Sequence, residues 1–130
     1  MRKAPGVGKV PEGIWVGVGI RPEASADEIE AALGILDGTD EVLGIATLDR
    51  RVDHPALVEV ARRRSVPIRG FAATDLAAVA VPTPSERVRD AVGSPAVAEA
   101  AAILAAGGGP LVVPKRSYRS VTVAAARKVS

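Results

Sequence analysis

Apolar and polar positions along this chain switch between two periods, and the switches mark its elements. Ile14-Trp15-Val16-Gly17-Val18-Gly19-Ile20 is a continuous apolar run, the pattern of a strand buried on both faces. Ser25-Ala26-Asp27-Glu28 follows as a capping box, in which the Ser25 hydroxyl accepts from the Glu28 amide and the Glu28 carboxylate reaches back. The helix it opens carries Ile29, Ala32, Leu33 and Leu36 as one stripe, with Gly38 as its stop. Val42 to Leu48 reads as a second buried strand. Asp53 is placed to cap a second helix with Pro55 in its first turn and Leu57, Val60 and Ala61 as its stripe. Arg62-Arg63-Arg64 then stand at the negative end of that helix dipole. Ile68 to Phe71 is a third strand, and Thr74 is the expected cap of a short helix bearing Leu76 and Val79.

Val81-Pro82-Thr83-Pro84 interrupts the alternation, and a short helical turn is expected from Ser85 to Val92. Ser94-Pro95 reads as an N-cap followed by proline at the first helical position. Val97, Ala101, Leu104 and Ala105 form the stripe of that helix, which Gly107-Gly108-Gly109-Pro110 ends. Leu111 to Pro114 and Val121 to Ala126 are two closing strands joined by the polar segment Lys115 to Ser120, too short for a parallel crossover and therefore antiparallel. The expectation is an α/β fold: a three-layer α/β/α sandwich around a mixed, mostly parallel sheet of about five strands. Residues 1–12 read as a loose tail and 13–130 as a single domain.

Composition narrows the function. Of 130 residues, 48% are hydrophobic and 25% charged, as in globular chains. Lys and Arg number 17 against 15 Asp and Glu, and a net +2 is too slight for the basic stripe of a duplex-binding protein. One Trp, one Tyr and one Phe do not supply stacking platforms for single strands, so no nucleic-acid partner is expected. The absence of cysteine excludes disulfides, thiolate metal sites and a cysteine nucleophile. No uninterrupted apolar stretch approaches the ~20 residues of a spanning helix, and Met1 to Gly6 has no apolar segment behind it. A cytoplasmic protein with no membrane partner is the expectation.

Candidate chemistry gathers at predicted strand ends. Gly17-Val18-Gly19 after the first strand suggests a dinucleotide fingerprint, but Pro22 occupies its third glycine position and the second strand brings no acidic residue at the required spacing. A loop at a strand end before a helix N-terminus, carrying Arg21, still suits an anion. Thr47-Leu48-Asp49-Arg50-Arg51-Val52-Asp53-His54 mixes carboxylates, guanidiniums and the one histidine, whose plainer role is at a helix start. His54, Asp49 and Asp53 are too few for a convincing metal site. Lys115-Arg116-Ser117-Tyr118-Arg119-Ser120 reads either as a clamp for carboxylates or phosphates or as a solubilising turn. Glu99 lies on the apolar side of an alanine-rich helix and, if buried, needs a partner, for which Ser94 or a loop arginine is available.

Five stretches in order resemble the CobE family, equivalently the C-terminal domain of CbiG, from cobalamin biosynthesis. They are Gly17 to Arg21, Ile45 to Asp49, Ser85 to Val88, Val92 to Ala101, and Val113-Pro114-Lys115 with Val121 to Ala124. Ile20 stands where that family usually has cysteine, Glu23 where it commonly has glycine, and Arg51 and His54 where it usually has Lys and Glu. In two-domain CbiG the resemblance implies opening of a lactone on cobalt-precorrin-5A with release of a two-carbon aldehyde; this chain looks like the standalone CobE type. The leading expectation is a protein that binds a polycarboxylate precorrin or corrinoid, as carrier or processor, without a cofactor. Its ligand-binding residues would be Gly19, Arg21, Thr47, Arg51, Ser94, Lys115 and Thr122, with Arg116 alongside. The alternatives are a hydrolase or isomerase of a precorrin using Asp49, Glu99 or His54, and a module that docks on other enzymes of the pathway.

Overall fold

The apolar run near the N-terminus forms β1 (Gly13–Ile20), buried at every position. It is the middle strand of a five-stranded sheet. The structure, a computed structural model, describes residues 13–34, 41–79 and 95–128. The other strands are β2 (Glu41–Leu48), β3 (Ile68–Phe71), β4 (Leu111–Tyr118) and β5 (Val121–Arg127), and the spatial order is β3-β2-β1-β5-β4. β1 pairs parallel with β2, as β2 does with β3, whereas β5 runs antiparallel to both β1 and β4. Four strands therefore share one direction and β5 opposes them, which is the mixed, mostly parallel sheet expected from the pattern.

Alternation of side chains divides the core into two halves. On one face Ile14, Val16, Val18 and Ile20 of β1, with Val121, Val123 and Ala125 of β5, meet the stripes of α1 (Ala26–Gly34) and α2 (Pro55–Arg64). On the other, Trp15, Ala46, Leu48 and Ala126 meet Leu76 of α3 (Ala73–Ala77) and the alanine-rich face of α4 (Pro95–Ala105). Small side chains let α4 lie very close to the sheet. A Cβ on Gly17 would fall 1.8 Å from the Ala98 carbonyl oxygen, so only glycine fits where the helix crosses β1. Gly17 is thus a packing glycine, and both it and Gly19 lie inside β1 rather than in a phosphate-binding turn after it.

The helix ends follow local chemistry, with two differences from expectation and a third in the last hairpin. The capping box forms in both directions, Glu28 N–H donating to Ser25 Oγ at 3.1 Å and Ser25 N–H to Glu28 Oε1 at 3.3 Å. At α2 the cap is His54 rather than Asp53: its Nδ1 accepts from Ala56 N–H at 3.1 Å, directly before Pro55. α3 is preceded by Ala72 with no side-chain cap, so Thr74 lies inside that helix rather than starting it. Lys115 to Tyr118 belongs to β4, so the connection to β5 shrinks to Arg119-Ser120, with Arg119 at φ 55°. α4 ends in a Schellman motif: Gly107 N–H donates to Leu104 O and Gly108 N–H to Ile103 O, both glycines at positive φ.

The arginine triplet does more than complement a dipole. Arg62 and Arg63 pair with Glu59 at 2.6 and 2.9 Å, while Arg64 reaches Glu30 of α1 at 2.8 Å and joins the two helices. At the outer edge, Arg69 of β3 stacks 5.7 Å from the Trp15 ring and 5.3 Å from the Phe71 ring, a charge that discourages pairing of a further strand. Among the described residues no helix is long and apolar enough to cross a membrane. Leu36, Gly38, the turn from Ser85 to Val92, and Ser94 lie outside the described residues.

Candidate ligand-binding site

Topology brings chain segments far apart in sequence to one edge of the sheet. β1, β2 and β3 end there, and β5 begins there. The connections from β1 and β2 pass over one face through α1 and α2; the path beyond β3 reaches the other face, where α4 lies. In open α/β sheets, ligands bind outside the carboxyl ends of strands where connections diverge to opposite faces. α4 runs back from that edge, since its C-terminal end leads directly into the start of β4, where Leu111 pairs with Ala126. Its N-terminal turn therefore lies on the same side as the β1 carboxyl end, where a helix dipole favours negative charge.

The nominated residues fall within this frame as follows. Gly19 and Thr122 are register partners across β1 and β5, and Thr122 Oγ1 lies 3.3 Å from Ser117 Oγ of β4. Arg21 is exposed immediately after β1, its N–H bonded to the Ser120 carbonyl of the hairpin turn. Thr47, wholly buried near the end of β2, donates its hydroxyl to Val18 O at 2.7 Å and so ties β2 to β1. Arg51 closes the short 3-10 turn Asp49–Arg51, and its Nε donates to Ile20 O at 3.1 Å. That bond uses one of five guanidinium donors. Ser94 lies outside the described residues.

Asp49 is exposed at the end of β2 and fits there because Gly70 of β3 has no side chain: a Cβ on Gly70 would meet Asp49 Oδ1 at 2.6 Å. Leu48, Asp49, Arg50, Ala72 and Ala73 line an open depression of about 260 Å³. His54 does not point to catalysis. With Nδ1 accepting from Ala56, the proton belongs on Nε2, which donates to Pro22 O at 2.8 Å. The ring is a strut between the loop after β1 and the start of α2.

Lys115 and Glu99 form a separate arrangement. Lys115 is exposed on the edge strand β4, between the levels of Val16 and Val18 and so behind the carboxyl edge. Glu99 is 0% exposed on α4, and its Oε2 accepts the Lys115 backbone N–H at 3.1 Å. One partner of the buried carboxylate is thus a main-chain amide, where the sequence offers Ser94 or a loop arginine. Thr47, Glu99 and Thr122 are the buried polar side chains of the described residues, and all three were nominated from the sequence. Ser117 and Arg50 fall within the candidate stretches but not among the named ligand-binding residues: a serine in a charged edge strand and one arginine among several carry no periodic signal. Among the described residues, no three His, Asp or Glu side chains converge to hold a metal.

Comparisons with known proteins agree with this architecture. The family model described as "Cobalamin synthesis G C-terminus" matches residues 14–126. The solved structure of CobE, a protein of the cobalamin pathway, is 29% identical, with a TM-score of 0.74 over 93% of this chain and 97% of that one. The cobalamin biosynthesis protein chiG from Agrobacterium tumefaciens str. C58 is 35% identical, with a TM-score of 0.68 over 90% and 98% of the two chains. A cobalamin biosynthesis protein G homolog from Sulfolobus solfataricus shares the fold at 21% identity and a TM-score of 0.71, over 92% of this chain and 38% of that longer one. A search of curated proteins found no match. A family match spanning nearly all of the sheet and its helices leaves one conclusion: the chain belongs to the cobalamin synthesis G C-terminus family and is a protein of cobalamin biosynthesis.

Proposed function

We propose that the protein binds a polycarboxylate corrinoid intermediate at the carboxyl end of its sheet, as a carrier or in preparation for processing. The observation that carries this reading is the convergence of Gly19, Arg21, Arg51 and Thr122 on one sheet edge from three separate segments, with buried Thr47 bracing β2 against β1 behind them. Corrinoid intermediates bear several acetate and propionate carboxylates. Guanidiniums bind such groups through charge-assisted, often bidentate hydrogen bonds. Arg21 and Arg51 flank the end of β1, and the start of α4 adds partial positive charge from its dipole. Lys115 and Arg116 extend the cationic surface along β4. Visible-absorbance titration with hydrogenobyrinic acid tests the reading. A saturable spectral change at micromolar protein is expected; an unchanged spectrum at tens of micromolar would contradict it.

A second reading, an enzyme acting on a precorrin, draws on the exposed Asp49 carboxylate beside the depression at the ends of β2 and β3. Asp49 could then move a proton at a ligand seated there. Incubation with precorrin substrates separates the readings: new products lost in Asp49→Asn favour the enzyme, and binding without products favours the carrier.

A further inference from the structure

We infer that Glu99 is a positioning residue that pins a bulge in β4 and thereby sets the direction of Lys115. The inference rests on the reading of Lys115 as a ligand contact. Between the pairs Val113↔Ala125 and Arg116↔Val123, β4 advances three residues while β5 advances two. One extra residue is therefore inserted in β4, and a bulge leaves a main-chain group outside the ladder while turning the side chains beyond it. Pro114 has no N–H to offer, so the unmatched donor at this point is the Lys115 amide.

Glu99 satisfies that donor from the neighbouring layer. It is the one acidic side chain among Val97, Ala98, Ala100, Ala101 and Ala102, all buried against the sheet. A wholly buried carboxylate is costly unless its oxygens accept hydrogen bonds. Keeping it in an alanine helix makes sense if the bulge depends on it. Having no exposed surface, Glu99 acts through Lys115 rather than on a ligand.

Amide hydrogen exchange and ligand titration on the whole chain test the proposal together. In the unaltered protein the Lys115 amide should exchange about 100-fold or more slowly than an open amide. Glu99→Met, similar in volume but without an acceptor, should release the Lys115 amide while that of Val123 stays protected, and should weaken binding of hydrogenobyrinic acid about tenfold. Glu99→Gln, which keeps an acceptor, should hold both near the unaltered values. Fast exchange of Lys115 in the unaltered protein overturns the inference, a measurement that stands even if Glu99→Met fails to fold. So does a Glu99→Met variant that keeps full affinity when Lys115→Ala loses it. If Lys115→Ala binds normally, the assignment of Lys115 to the ligand fails instead, and the exchange pattern still reports on the bulge.

Discussion

The imidazole of His54 holds the carbonyl of Pro22 at 2.8 Å, although 32 residues separate them in sequence. With its other nitrogen capping α2, the ring couples the loop after β1 to the helix that follows β2. His54→Ala should therefore cost about 1–2 kcal/mol, the usual loss for a helix cap. His54→Asn restores a capping oxygen but is too short to replace the tether, so it should recover only part. Urea denaturation of the three proteins checks this; equal midpoints would show that the ring carries no structural role.

The fit of α4 against Gly17 makes a sharper prediction. Gly17→Ala puts a methyl group into the Ala98 carbonyl, and α4 must move away from β1. Overpacking of this kind costs about 1–3 kcal/mol. Because α4 carries Glu99, the same substitution should also weaken protection of the Lys115 amide, observable by hydrogen exchange. A variant with unaltered stability and exchange would mean that α4 does not lie where the structure has it.

The ion pairs on α2 predict a pH effect. The Glu59 carboxyl is held below its ordinary value of 4.5, first by the hydrogen bond from Arg63 and then by the charge of Arg62. A depressed carboxyl contributes stability above its unfolded pKa and loses it as pH falls through the lowered one. NMR titration should place the Glu59 midpoint below 4.5, and Arg63→Met should raise it. Because the group is exposed, solvent screens the pair and the effect on stability should be small. A midpoint unmoved by Arg63→Met would remove the hydrogen bond as its cause.

Much of this fold was legible because hydrophobic period and capping chemistry agreed. The strand from Ile14 to Ile20 and the box at Ser25 needed no tertiary information. The choice between Asp53 and His54 did, because both can accept from a helix amide and the Pro22 carbonyl that holds His54 comes from a distant loop. The extension of β4 through Lys115 to Tyr118 was hidden for another reason. An exposed edge strand buries little apolar surface, so charged residues can occupy it without leaving a period-two pattern. Of the site, the sheet-edge residues were readable as strand ends followed by cations. The link from Glu99 to the Lys115 amide was not, since nothing in the sequence marks a bulge beyond a proline.

The proposed ligand meets the protein at the carboxyl ends of β1 and β2. Amide NMR spectra recorded while hydrogenobyrinic acid is added test this most directly. Saturable shifts are expected at Gly19, Arg21, Asp49, Arg51, Thr122 and their neighbours, and at Lys115 further back along β4, with the opposite end of the sheet around Gly13 and Arg127 unmoved. Shifts centred on that opposite end, on the exposed flank of α2, or on no residue at all would contradict it.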